Sequence, residues 1–338
     1  MAAASKAIAP YEGQTSAFPV DTPLSKPLPA DTKFVYLQCA ATSCGQVDKL
    51  LQEAVKTLGG SLTTVSAGAS VATFQTAAAS ALSLKPAVVF LDGFQPALFG
   101  DSLKTLSAAG IKVVSISMAQ TPEELASYGI TFNYIGTAFN VNNGKLMADW
   151  VITKKGANSK IAFYGVPEIT FTAPMQAAFE QELKTNCASC KVRTVPVAVA
   201  TLGTTAPQTV VTDMQAHPDT NVAVFSVAAI ASGLPAAMKA AGVSATTLGF
   251  SPGPGNLQDI KTGDITGGLA IDTAVSVWTM ADVGARLVIG DQPTASEKAG
   301  ESPEQFLQQK DITFDPTNGW TAYPDYAQRF AKLWHPAS

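Results

Sequence analysis

From Lys33 onward the chain alternates short runs of β-branched and aromatic residues with helical stretches, at a repeat of about 25 to 30 residues. That alternation restricts the fold more than any other feature, because strand, helix and returning strand close most readily as βα units around a parallel sheet. Strands are predicted at Phe34–Gln38, Ser61–Val65, Ala87–Leu91, Lys112–Ser117 and Thr131–Ile135. Between Gly45 and Gly59, Val47, Leu50, Leu51, Ala54, Val55 and Leu58 share one helical face, and Gly59-Gly60 ends it. The order then starts afresh with a helix at Asn143–Lys154 and strands at Lys160–Tyr164, Lys191–Pro196, Asn221–Ser226, Thr246–Phe250 and Gly267–Ile271. A long helical pattern over Ser276–Gly290, a strand-like Asp311–Phe314 and an amphipathic segment Tyr323–Trp334 complete the chain.

The prediction is an α/β protein of two doubly wound parallel-sheet domains with a ligand cleft between them. Residues 1–31 hold five prolines and read as an extended arm lying on or beside the body. Open parallel sheets take ligands outside the carboxyl ends of their strands. The loops after Gln38, Leu91, Ser117, Tyr164, Ser226 and Phe250 are therefore the expected binding edges.

Charged residues make up 14% of the 338 and hydrophobic ones 46%, with a net charge of −4, so a nucleic-acid surface is not expected. The apolar runs are broken every few residues and fall short of the about 18 to 20 needed to span a membrane. No basic start with an apolar core follows Met1, so no signal peptide is present as written. A targeting segment removed from an extracytoplasmic protein, periplasmic or lipid-anchored at the cell surface, is the expectation. Four cysteines form two local pairs, Cys39 with Cys44 and Cys187 with Cys190. Such spacings suit disulfides, half zinc sites or redox motifs; no histidine neighbours either pair, and structural disulfides in an oxidising compartment are favoured over unpaired thiols.

Gly249-Phe-Ser-Pro-Gly253 matches the G-x-S-x-G of a nucleophile elbow, with His335 downstream. An elbow turns directly into a helix, whereas Pro252, Gly253, Pro254 and Gly255 predict an irregular loop, so a hydrolase using Ser251 is the lesser reading. His217 reads as a cation at a helix end. No phosphate loop, metal motif or paired-carboxylate motif appears, so neither an enzyme nor a cofactor is expected.

The layout resembles the type I periplasmic substrate-binding proteins, the superfamily of ribose-binding proteins and lac-repressor cores. The resemblance rests on Ile135-Gly-Thr-Ala-Phe-Asn140 with Asn143-Gly-Lys-Leu-Met-Ala148, and on Met175-Gln-Ala-Ala-Phe179. Ala223-Val-Phe225 with Gly233 and Ala236–Gly242, Leu248-Gly-Phe250, Leu257–Gly263 and Gly284 continue it. It implies lobes of 32–137 plus 274–313 and of 138–273 plus 314–338 joined by three crossovers, ligand held between them, closure on binding, and delivery by a monomer to the permease of an ABC transporter. Alternatives are a sugar receptor of the ordinary kind, or a ligand-sensing module for a signalling system.

Where the family clamps sugar hydroxyls with Arg and Asp, the resemblance aligns Met175, Ala228, Ser117 and Ser251 here. Phe139 stands at the crossover Asp, and Trp278 near the family's Gln, with Asp272 also able to fill that role. An apolar cleft would leave sugar hydroxyls unpaired at about 1 to 3 kcal/mol each. The expected ligand is therefore aromatic, terpenoid or otherwise less polar than a sugar. Phe94, Phe139, Phe171, Met175 and Trp278 would enclose it, and Thr42, Ser43, Gln95 and Asp272 would fix its few polar atoms. A Cys39–Cys44 disulfide would stiffen the same wall.

Overall fold

The computed structural model describes residues 1–13, 17–40, 42–68, 70–92, 94–300 and 302–335, the side chain of Thr42 excepted. The strands are β1 Lys33–Cys39, β2 Ser61–Gly68, β3 Val88–Asp92, β4 Lys112–Ile116 and β5 Phe132–Tyr134. They continue as β6 Lys160–Gly165, β7 Lys191–Pro196, β8 Val222–Phe225, β9 Thr246–Phe250, β10 Gly267–Ile271 and β11 Glu304–Leu307. The helices begin with α1 Ala2–Ile8, α2 Thr42–Thr57, α3 Val71–Leu84, α4 Pro96–Ala108 and α5 Pro122–Ser127. Next come α6 Thr137–Lys155, α7 Thr172–Asn186, α8 Ala206–Ala216, α9 Leu234–Ala241 and α10 Pro254–Thr262. The last three are α11 Thr273–Ile289, α12 Ala295–Ala299 and α13 Tyr326–Trp334. None of the described helices is long and apolar enough to cross a membrane.

The strands form two sheets, of order β2-β1-β3-β4-β5 and β11-β10-β9-β8-β6-β7, parallel throughout except for β11. The first-sheet unit comprises Ala17–Thr137, Asp272–Pro303 and Tyr323–Ser338; the second-sheet unit comprises Met1–Ser16, Ala138–Ile271 and Glu304–Ala322. These bounds correct the sequence reading, which gave 304–313 to the first lobe and 323–338 to the second. The strand near the end of the chain is Glu304–Leu307, antiparallel to β10, and Asp311–Phe314 is not a strand. A helical end carrying Trp334 and Phe330 is fixed by burial of those rings, which brings α13 to the first-sheet unit.

Helices on both faces explain the near-continuous apolar strands. In the first-sheet unit, Phe34 of β1 stacks on Phe90 of β3 with ring centroids 5.6 Å apart. Helix α11 rides over that pair at Gly284, where a Cβ would come 2.8 Å from Phe90 Cζ. The opposite face packs Phe74, Phe94, Phe99, Leu103 and Met118. In the second-sheet unit the helix α6 lies so close to α7 at Gly144 that a side chain there would meet the backbone carbonyl of Met175.

The first residues are helical rather than extended: α1 buries Ala4 and Ile8 in the second-sheet core. Residues 17–25 are bound to the first-sheet unit. Val20 and Leu24 are buried, Leu24 N–H donates to Leu333 O at 3.0 Å, and Ser25 donates to both carboxylate oxygens of Asp291. A buried polar network completes that attachment. Arg286 Nε donates to Asp282 Oδ2 at 2.5 Å and its Nη2 to Thr22 O at 2.5 Å, while Trp334 Nε1 donates to Asp282 Oδ1 at 2.6 Å. Glu297 accepts from Thr294 N–H and lies 3.4 Å from Arg286 Nε.

Burial, with the Asp282 carboxylate beside it, pushes the Glu297 carboxyl up to about 8. A folded-state value above the unfolded one favours the protonated native state, so this contribution is complete below the unfolded value near 4.5 and is lost as pH rises through 8. Glu297→Gln, neutral at every pH, should flatten the fall in thermal stability between pH 5 and 8, a difference on the order of a few kcal/mol. Calorimetry of both proteins across that range checks it.

Candidate functional site

At the carboxyl edge of the first sheet, β3 ends in Asp92, in register with Ile116 at the end of β4. Asp92 is partly exposed, yet burial among its neighbours pushes its carboxyl up to about 6. No group of the described residues donates a hydrogen bond to it; Cys44 Sγ, 4.0 Å from Oδ2, belongs to a disulfide. Tyr36 lies on the same face of the sheet, with a buried hydroxyl that finds no partner. Burial, and then the Asp92 and Asp48 carboxylates, hold that phenol above its ordinary range.

The loop after β4 is set by its backbone. Ser117 adopts φ 63° and donates its N–H to Tyr134 O, while Asn133 accepts from Met118 N–H and Ser115 Oγ. Thr137 Oγ1 donates to Ala119 O, and Gln120 Oε1 is buried without a partner. Ile135 follows β5 at φ 59°. A left-handed β-branched residue is strained, and such strain persists only where surrounding bonds over-determine it.

The second-sheet unit repeats the device. Ser251 follows β9 at φ 54°, its N–H held by Leu269 O at 2.8 Å. Asn256 pins the neighbouring loops, accepting from Gly253 N–H and donating to Ala228 O at 3.0 Å. Phe171 is half-buried and meets Phe250 edge to face at 5.9 Å, and Phe139 is half-buried on α6.

These edges gather Gln95 and Ser117 in one unit, and Phe139, Phe171, Ala228 and Ser251 in the other. Ser43 is exposed in the first turn of α2, and the Thr42 side chain lies outside the described part. Other expected ligand residues are structural. Trp278 is buried in the first-sheet core, stacked on Trp334 at 5.2 Å and packed on Phe330 and Tyr326, because α13 covers it. Met175 is fully buried in the second-sheet core, under the close approach of α6 and α7. Phe94 turns into the core against Phe74 and Phe99. Asp272 is fully buried and caps α11 by accepting from Val275 N–H at 3.0 Å.

Asp92 escaped the sequence reading. The signal available was a carboxylate ending the apolar run Val88-Val-Phe-Leu91. Both cysteine pairs are disulfides, as expected. The described residues hold no cluster of His, Cys, Asp and Glu suited to a metal. The one histidine of Ser251's unit, His217, ends α8 at the opposite, amino end of the sheet, 3.1 Å from Asp213.

The model of the periplasmic binding protein domain matches residues 42–292. The chain belongs to this family. No curated protein matches it in sequence. Its fold is that of the type I members, shared with a periplasmic solute-binding protein of an ABC transporter from Actinobacillus succinogenes 130z, solved with D-allose. That likeness has TM-score 0.72 and 14% identity, and covers 83% of this chain and 98% of that one. The 5-methylthioribose transporter solute-binding protein of Thermotoga lettingae, with 5-methylthioribose bound, matches at TM-score 0.72 and 12% identity over 90% and 98%. An ABC transporter solute-binding protein of Agrobacterium vitis with allitol matches at 0.71 and 17% over 83% and 97%.

With Trp278 in a core rather than on a binding edge, Trp278→Ala should cost stability, about 3 to 5 kcal/mol. Denaturant melts should show that loss, while solute affinity of the folded fraction stays within about twofold.

Proposed function

We propose that this is an extracytoplasmic solute receptor of an ABC importer whose solute is a small hydroxylated molecule, a sugar, polyol or sugar derivative. The observation that carries the reading is Asp92, a carboxylate at the end of a parallel strand with an open acceptor and no cation beside it. Carboxylates accept strongly from adjacent hydroxyls, and a pyranose or furanose offers an apolar face as well. In this reading Asp92, Gln95 and Ser117, all at the carboxyl edge of the first sheet, take the hydroxyls of the solute. Relatives of the same fold bound to D-allose, 5-methylthioribose and allitol support that class.

The expectation of a ligand less polar than a sugar loses its footing. Of the five side chains expected to enclose it, Trp278, Met175 and Phe94 serve the cores, and the solutes of the relatives are sugars and polyols. Two disulfides fit an oxidising compartment outside the cytoplasm. A binding role also agrees with the family, whose members are binding proteins.

A thermal-shift panel of pentoses, hexoses, hexitols and 5-methylthioribose, set against aromatic acids and terpenoids, tests the reading, since a ligand of the native state alone raises the melting temperature. A shift with the hydroxylated set is expected, and Asp92→Asn should weaken that solute about 10- to 100-fold by titration calorimetry. A shift confined to the apolar set, or an unchanged affinity in Asp92→Asn, overturns it.

A further inference from the structure

The disulfide beside Asp92 does more than staple a turn. Cys39 ends β1, Cys44 is buried in the first turn of α2, and their bond bridges the connection between strand and helix. Cys44 Sγ is the group of the described residues seated against the carboxylate, 4.0 Å from Oδ2. A disulfide sulfur has no proton to offer, whereas a thiol is a donor. The oxidation state of this pair therefore decides whether Asp92 has an internal hydrogen-bond partner.

We propose that Cys39–Cys44 is a redox latch on the solute acceptor: oxidised, it leaves Asp92 open to a solute hydroxyl, and reduced, the Cys44 thiol occupies that acceptor while the β1–α2 connection loosens. The proposal rests on the reading of Asp92 as a solute-binding group. The reductant is a dithiol. Its thiolate attacks one sulfur, the S–S bond breaks, and after ring closure of the reductant to its own disulfide both cysteines are thiols, two electrons and two protons having been transferred.

The coupling has a second face that needs no solute. A carboxylate this close to Cys44 repels an incoming thiolate and disfavours a departing Cys44 thiolate, so Asp92 protects the bond it adjoins. The other disulfide is an internal reference. Cys187 has Ser189 Oγ at 4.0 Å and Cys190 has the Gly156 carbonyl at 3.8 Å, with no carboxylate among these neighbours.

Dithiothreitol reduction of the full chain at pH 8, trapped by alkylation and read pair by pair by mass spectrometry, tests this second face. Asp92→Asn should speed reduction of Cys39–Cys44 about tenfold and leave Cys187–Cys190 unchanged. Equal rates in the two proteins overturn the latch, even where sugars bind. Acceleration at Cys39–Cys44 without any binding across the hydroxylated panel sinks the sugar reading and leaves the Asp92–disulfide coupling standing.

Titration with D-allose in a Cys187→Ser/Cys190→Ser background tests the first face. Reduction should weaken binding at least about fivefold. Cys39→Ala/Cys44→Ala, which opens the connection without supplying a donor, should retain more affinity than the reduced protein. The same affinity for oxidised and reduced forms overturns the proposal.

Discussion

A parallel sheet covered by helices on both faces has nowhere to present chemistry except at the ends of its strands. Everything else in this protein follows from that confinement. Phe34 and Phe90 on one face, and Phe74, Phe99 and Leu103 on the other, leave no exposed side for the first sheet. The βα loops at the carboxyl ends are what remains. Their side chains differ from the core in kind: Asp92, Gln95, Ser117 and Gln120 in one unit, and Ser251 and Asn256 in the other.

Low charge content makes the few buried ionic groups conspicuous. Arg286, Asp282 and Glu297 are almost wholly desolvated: Asp282 pairs with Arg286 and accepts from Trp334, Arg286 donates to Thr22 O, and Glu297, its carboxyl raised by burial, accepts from Thr294 N–H. Those partners come from both ends of the chain, so the network joins residues 17–25 and helix α13 to the long helix α11. Glu304 is a further buried acid, held well above its ordinary range by burial, with Asn143 beside it. The chain keeps these carboxyls neutral or paired and reserves an open acceptor for Asp92.

How much of this was legible in the sequence depended on whether the signal was local. The face Val47, Leu51, Ala54, Val55 and Leu58 predicted α2 because burial on one side of a helix writes its own period. The run Lys191–Pro196 was legible as a strand from its β-branched Val192, Thr194 and Val195. Glu304–Leu307 was not, since a buried Glu opens it and its strand character comes from pairing with β10. Positions carried over by resemblance fared according to what packs on them. Ser117 and Ser251 lie at strand ends, whereas Met175 and Trp278 were taken into cores by Gly144 and Trp334, contacts far away in sequence. Asp92 was hidden because one carboxylate after four apolar residues looks like the end of a strand and nothing more.

The left-handed backbone at Ser117, Ile135 and Ser251 bears on how this protein tells one solute from another. Two of them are held by bonds their own N–H groups donate, Ser117 to Tyr134 O and Ser251 to Leu269 O. The rims are cast before any solute arrives, so little loop ordering remains to be charged against affinity. Such a mould discriminates by fit rather than by adapting. A change of diet in its evolution would then come through exchange of side chains on fixed rims, with the loops themselves left as they are.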